Sequence, residues 1–90
     1  VSEPDPHVEE LRGRIAARDL ALLEAVNARL ELVAELKAYK DANGIAFLDP
    51  DREARLVAEL QRANRGPLSE EGVRHLIEEV LALTKRELSR

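Results

Sequence analysis

From His7 to about Ala42 the chain runs without a proline and with a single glycine, Gly13. Across that stretch apolar residues recur at Val8, Leu11, Ile15, Leu22, Val26, Val33 and Leu36, at intervals of threes, fours and sevens. That periodicity predicts one long amphipathic helix. About 35 residues of helix span roughly 50 Å. A compact domain of 90 residues has a radius of gyration near about 12 Å. The helix therefore overhangs any core its own chain can build. Its apolar stripe continues along the whole overhang and must be covered, and a partner chain is the simplest cover. The spacing alone predicts an obligate dimer.

Two punctuated turns divide the rest. Asn43-Gly44 ends the long helix, with Gly44 suited to the left-handed position after the last turn. Ile45 to Leu48 is a short apolar connector. Asp49 can cap a second helix whose first position is Pro50, running to about Ala63 before Asn64-Arg65-Gly66-Pro67 breaks it. Ser69 caps a third helix, with Glu70 and Glu71 in its first turn. Val73, Leu76, Ile77, Val80, Leu81 and Leu83 give that helix a buried face. Residues 1–7, with prolines at 4 and 6, read as a disordered lead-in, and residues 8–90 as one helical domain. No strand pattern or internal repeat is present. The expected fold is all-α, with three helices per chain (one long, two shorter) in an intertwined helical-bundle homodimer.

Composition removes several function classes. Without cysteine, neither a disulfide framework nor a thiolate metal site is possible. A net charge of −4 argues against nucleic acid held by bulk charge. With only Tyr39 and Phe47 as aromatics, base-stacking platforms are missing as well. No apolar run approaches the ~18 residues of a bilayer span. The polar, proline-bearing N-terminal segment does not read as a signal peptide. A cytoplasmic protein with no membrane and no nucleic-acid partner is expected.

The informative residues are cations that interrupt apolar stripes. Counting by sevens gives Val8, Ile15, Leu22, Arg29 and Leu36, so Arg29 stands where a core residue belongs. The neighbouring stripe reads Arg12, Asp19, Val26, Val33 and Lys40. Arg29 and Lys40 are about three turns apart, with Cα atoms roughly 16 Å apart along the axis. Long side chains from both could clamp an anion between them. The competing reading is that each reaches out to water or pairs with a glutamate on its own helix. Asp49-Pro50-Asp51-Arg52-Glu53 is the second cluster. A helix start accounts for Asp49, Pro50 and Asp51. It does not account for Arg52, which opposes the helix dipole unless an anion binds there.

Other chemical templates fail. There is no phosphate-binding glycine loop, zinc motif or cysteine nucleophile. His7 and His75 lie far apart, and Ser69 is better explained as a cap than as a nucleophile. No cofactor and no metal are expected. What is left is a cluster of cations in a helical bundle, with one inward glutamate at most.

In this order, Leu11-Arg12…Ile15, Leu22-Leu23…Arg29, Lys37…Lys40 and Gly44…Asp49-Pro50-x-Arg52-Glu53 resemble the all-helical (AroQ-type) chorismate mutases. The resemblance extends from about Val8 to Leu88. It implies an isomerase that turns chorismate into prephenate by an intramolecular Claisen rearrangement, in the biosynthesis of phenylalanine and tyrosine. That reaction is pericyclic and requires no nucleophile, metal or redox cofactor. The two carboxylates of chorismate explain the demand for cations. Negative charge builds on the ether oxygen in the transition state, where a preorganised cation contributes several kcal/mol.

Carried over residue by residue, the resemblance implies that Arg12 and Arg29 bind the substrate carboxylates. Lys40 contacts a carboxylate and the ether oxygen, and Glu53 accepts a hydrogen bond from the ring hydroxyl. Asp49 and Arg52 shape the same end of the pocket. Arg12 then comes from the other protomer, which agrees with its spacing from Arg29, about 25 Å along one helix. In the third helix the family places a small residue and, four positions later, a glutamine. These positions fall on Thr84 and Leu88, and Leu88 has no donor. Glu87 reaches the site only if the helix shifts register, and Lys85 or Arg86 could compensate for the missing donor. The Gly66-Pro67-Leu68 turn is similar to that of members associated with the first enzyme of the shikimate route. Three alternatives stay open at this point. They are an isochorismate–pyruvate lyase on the same scaffold, a non-catalytic domain binding chorismate or prephenate to regulate a partner, and a plain coiled-coil dimerisation module.

Overall fold

Each helix opens on a side-chain oxygen that accepts the backbone N–H three residues further on. Asp5 Oδ1 accepts from Val8 at 3.3 Å, and also from His7 at 2.8 Å. Asp49 Oδ1 accepts from Arg52 at 3.1 Å, and Ser69 Oγ accepts from Gly72 at 3.0 Å. These are N-caps, satisfying donors that a first helical turn leaves without partners. The computed structural model describes Glu3 and residues 5–90. Among them are three helices, α1 (Pro6–Ala42), α2 (Pro50–Ala63) and α3 (Glu70–Leu88), and no strand. The all-α class and its one-long, two-short pattern are as expected.

The start of α1 departs from the sequence reading. The stretch 1–7 reads as a lead-in, yet Pro6 and His7 are helical because Asp5 caps them. Pro6 stands at the first helical position, where a missing N–H costs nothing. The remainder of that expectation, on Val1, Ser2 and Pro4, lies outside the described residues.

The two turns close as their residue types dictate. Gly44 has φ +66, a left-handed conformation that glycine adopts without a Cβ penalty. The Ile45 N–H then reaches back to the Lys40 carbonyl at 2.9 Å, sealing the end of α1. Between α2 and α3, Asn64 ties the turn together with three bonds. Its N–H donates to the Leu60 carbonyl at 2.9 Å and its amide to the Leu68 carbonyl at 2.7 Å. Its side-chain oxygen accepts from the Gly66 N–H at 3.1 Å.

The chain falls into two units, Val1–Leu32 and Val33–Arg90. Residues 6–32 of the first are helix, and no residue of α1 is buried. Val8 and Leu11 are 39% exposed and Ile15 and Leu22 59%, so this part of the apolar stripe is left uncovered in the single chain. The second unit holds the end of α1 together with α2 and α3, and α2 packs on α3. Their interface buries Val57, Val73 and Thr84. Ile77, Val80, Leu81 and Leu83 are partly buried beside them, whereas Leu76, expected on that face, is 45% exposed. Among the described residues, two buried apolar side chains make a thin core, as a chain this short permits when it folds alone. Among the described residues no helix is long and apolar enough to cross a membrane.

Candidate active site

Lys40 occupies the last turn of α1, where a cation complements the helix dipole. Its ammonium donates to the Phe47 carbonyl at 3.3 Å. The connector after Gly44 thus folds back over the lysine that precedes it. Phe47 also sets its ring near two ammonium groups, with Lys37 Nζ 5.8 Å and Lys40 Nζ 6.0 Å from the ring centroid. Contacts of this kind contribute about 0.5–1 kcal/mol at exposed positions. Lys37 and Lys40 are both half-buried, and Lys37 is further tied to Asp41 at 2.9 Å.

Two residues after Phe47 the chain enters α2. The Asp49 side chain is committed to capping, and its carbonyl accepts from the Glu53 N–H at 3.1 Å. Asp49 therefore fixes the backbone at the start of α2. Arg52 is exposed, and among the described residues its guanidinium forms no ion pair or hydrogen bond. A cation left open at a helix N-terminus is the arrangement an incoming anion would neutralise.

Glu53 lies one residue on, with its carboxylate turned toward α3. Lys85 Nζ stands 2.8 Å from Glu53 Oε1 and 3.2 Å from Oε2. The ion pairs within α1, such as Arg14–Glu10 and Lys37–Asp41, join residues of one helix; Glu53–Lys85 joins two helices. The pair sits where the first turn of α2 meets the last turn of α3. Both charges are placed favourably for their own helix dipoles. Glu53 also borders a groove of about 290 Å³ along α2 and α3, lined among others by Ala54, Val57, Ala58, Glu78 and Leu81.

The remaining expected residues are distributed as follows. Thr84 is buried, and its hydroxyl donates to the Val80 carbonyl at 2.7 Å. Leu88 is the half-buried last residue of α3. Glu87 pairs with Arg90 at 3.3 Å. On α1, Arg29 is half-buried. Arg12 is exposed and pairs with Glu9 at 3.3 Å. The structure thus brings Lys40 to the connector that leads into Asp49, Arg52 and Glu53, adds Phe47, and pairs Glu53 with Lys85, which the sequence offered only beside Arg86. Phe47 meets Lys40 through its backbone carbonyl, which no side-chain pattern announces. Lys85 had a visible signal, a cation four residues after Leu81 on one face of α3, but no sign of its partner.

A three-helix, all-α chain with cations at the end of its long helix and at the start of its second is an all-helical protein with basic residues at two helix ends. Residues 11–88 match the family model described as chorismate mutase type II, and the chain belongs to that family. Chorismate mutase, an isomerase, is the activity that this membership assigns. Among solved structures the chain is similar to form II of the chorismate mutase from Thermus thermophilus. The identity is 26% and the TM-score 0.88, over 93% of this chain and 96% of that one. It is also similar to form I of the same enzyme, at 27% identity and TM-score 0.84, over 87% of this chain and 98% of that one. No curated protein matches the chain.

Proposed function

We propose that the chain rearranges chorismate to prephenate in a site shared between two protomers. Arg12, Arg29, Lys40, Asp49, Arg52, Glu53, Thr84 and Leu88 surround the substrate. Lys40, Glu53 and Arg29 carry most of the catalysis. The observation that carries this reading is the position of Lys40. Its ammonium rests on the Phe47 carbonyl, two residues ahead of the Asp49-Pro50-x-Arg52-Glu53 helix start. A cation held there before substrate arrives costs little reorganisation when charge develops on the ether oxygen.

The chemistry asks for no proton transfer. The ether C–O bond breaks as the new C–C bond forms, within one molecule. Arg12 and Arg29 take the two carboxylates and hold the reactive conformer, which converts part of the activation entropy into binding. Glu53 accepts the ring hydroxyl, Arg52 adds positive charge at the α2 end, and Thr84 and Leu88 close the α3 side.

The homodimer is supported by α1, which buries no residue in the single chain and exposes Val8, Leu11, Ile15, Leu22 and Leu36. A contiguous apolar face of this length marks an interaction surface. Arg12 and Arg29 are also about 25 Å apart along the helix, so one small substrate touches both only if they come from different chains. In this reading the protein works in the cytoplasm in phenylalanine and tyrosine biosynthesis. The Gly66-Pro67-Leu68 turn supports the first enzyme of the shikimate route as a further partner.

The test is a chorismate mutase assay on the wild type and Arg29→Ala, with sedimentation to follow the dimer and isochorismate assayed in parallel. Turnover of chorismate that Arg29→Ala abolishes is the expected result. An intact dimer with no turnover of chorismate at any concentration overturns the reading. Pyruvate release from isochorismate would assign the lyase instead.

A further inference from the structure

We infer that Lys85 is a further substrate-contacting residue, which donates a hydrogen bond to the ether oxygen while Glu53 accepts one from the neighbouring hydroxyl. The inference rests on the proposed chorismate reading and extends it to α3.

A lysine ammonium has three N–H donors. Glu53 can engage at most two of them, at 2.8 Å through Oε1 and 3.2 Å through Oε2. One donor remains. An ionised carboxylate offers about four lone-pair sites, so Glu53 keeps acceptor capacity after Lys85 is satisfied. The pair therefore presents a donor and an acceptor side by side. The complementary ligand carries a hydroxyl next to an oxygen acceptor. In chorismate the ring hydroxyl and the ether oxygen lie on neighbouring ring carbons, and together they make that pattern. The hydroxyl donates its hydrogen bond to Glu53, and the ether oxygen accepts from Lys85. No proton is transferred, and the ammonium stays charged while the C–O bond breaks and the C–C bond forms.

The neighbours on α3 are less suited. Glu87 is turned to Arg90 at 3.3 Å. Arg86 is exposed as Lys85 is, but it lies a rotation of about 100° around the helix from the residue that faces Glu53. Leu88, about one turn beyond Lys85, has no donor. The purely structural account is that Lys85 ties α3 to α2. With side chains 44% and 29% exposed, a pair of this kind adds little to stability. Its loss should then leave folding intact.

The experiment compares steady-state kinetics and thermal unfolding for the wild type, Lys85→Met and Lys85→Gln. Lys85→Met keeps the stem and removes all donors. Lys85→Gln keeps a donor and removes the charge. The expected result is a fall in kcat of about 10²-fold for Lys85→Met, a smaller fall for Lys85→Gln, and an unchanged Tm for both. A Lys85→Met enzyme whose kcat stays within roughly threefold of an active wild type overturns this inference alone. A rise in KM with kcat unchanged overturns the placement on the ether oxygen. If Lys85→Met fails to fold, Lys85→Gln decides, and a folded Lys85→Gln enzyme with wild-type kcat overturns the inference. A wild type without chorismate turnover removes the parent reading and this one together.

Discussion

Lys40 and Phe47 meet across the connector between α1 and α2. The ammonium donates to the backbone carbonyl at 3.3 Å and lies 6.0 Å from the centre of the same residue's ring. The carbonyl and the ring hold the lysine separately, and mutation can tell them apart. Lys40→Met removes the charge and should lower kcat by about 10²–10³-fold, the range for loss of one preorganised donor. Phe47→Ala removes the ring and keeps the carbonyl. Its cost should stay below about 30-fold, since a half-buried cation–ring attraction is worth no more than about 2 kcal/mol. Initial rates at saturating chorismate measure both. A Phe47→Ala loss as large as that of Lys40→Met would show that the ring, not the carbonyl, orients the lysine.

Asp49 bonds its own helix start and nothing beyond it, so its substitution tests the local frame of the site. Asp49→Ala removes the acceptor for the Arg52 N–H and should destabilise the protein by about 1 kcal/mol. Asp49→Ser keeps an acceptor and should recover most of that loss. Urea unfolding followed by circular dichroism gives both values. Activity should follow the same order, because a frayed first turn misplaces Arg52 and Glu53 together. Equal stability for the Ala and Ser variants would remove the capping role.

The three helices were legible because their ends are written in residues with one dominant local use. Asp49-Pro50 and Ser69 start helices where the sequence says they should, and Gly44 ends one at φ +66. Asp5-Pro6 has the same chemistry as Asp49-Pro50. The extra proline at position 4 made it read as part of a lead-in. In the candidate site, the places of Lys40 at the end of α1 and of Asp49–Glu53 at the start of α2 are legible, because helix phase and dipole arguments are local. The Glu53–Lys85 pair was not. Its partners are 32 residues apart, and which turn of α3 faces Glu53 depends on how the Asn64–Leu68 turn sets the register of two antiparallel helices. No helical wheel drawn for either helix alone contains that information.

Two glycines should respond to alanine with opposite signs. A Cβ at Gly13 or at Gly44 meets nothing within 4 Å, so neither substitution is decided by a clash. Gly13 lies inside α1 and about 200° around the helix from Leu11, off the apolar stripe. Gly13→Ala should stabilise the protein by up to about 1 kcal/mol. Gly44 has φ +66, and Gly44→Ala should destabilise by about 1–2 kcal/mol through left-handed backbone strain. Thermal unfolding at fixed protein concentration resolves both. Destabilisation by Gly13→Ala would place Gly13 against a neighbouring chain.

Arg12 and Arg29 provide the sharpest test of the dimer. Both lie on α1, about 25 Å apart along its axis, and each is needed if a carboxylate binds each one. Arg12→Ala and Arg29→Ala homodimers should both be inactive. Mixed under subunit-exchange conditions, they form heterodimers whose two sites differ. Where each site takes Arg29 from one chain and Arg12 from the other, one of the two sites in every heterodimer regains both arginines. Random exchange makes half of the dimers mixed, so activity should recover to about a quarter of wild type. Where both arginines come from one chain, no site regains the set and no activity returns. A Leu22→Asp substitution in either parent puts a charge into the apolar stripe and should abolish the recovery by preventing association, with sedimentation reporting monomer. Recovery that persists when the chains remain monomeric would mean that the arginines do not act across an interface.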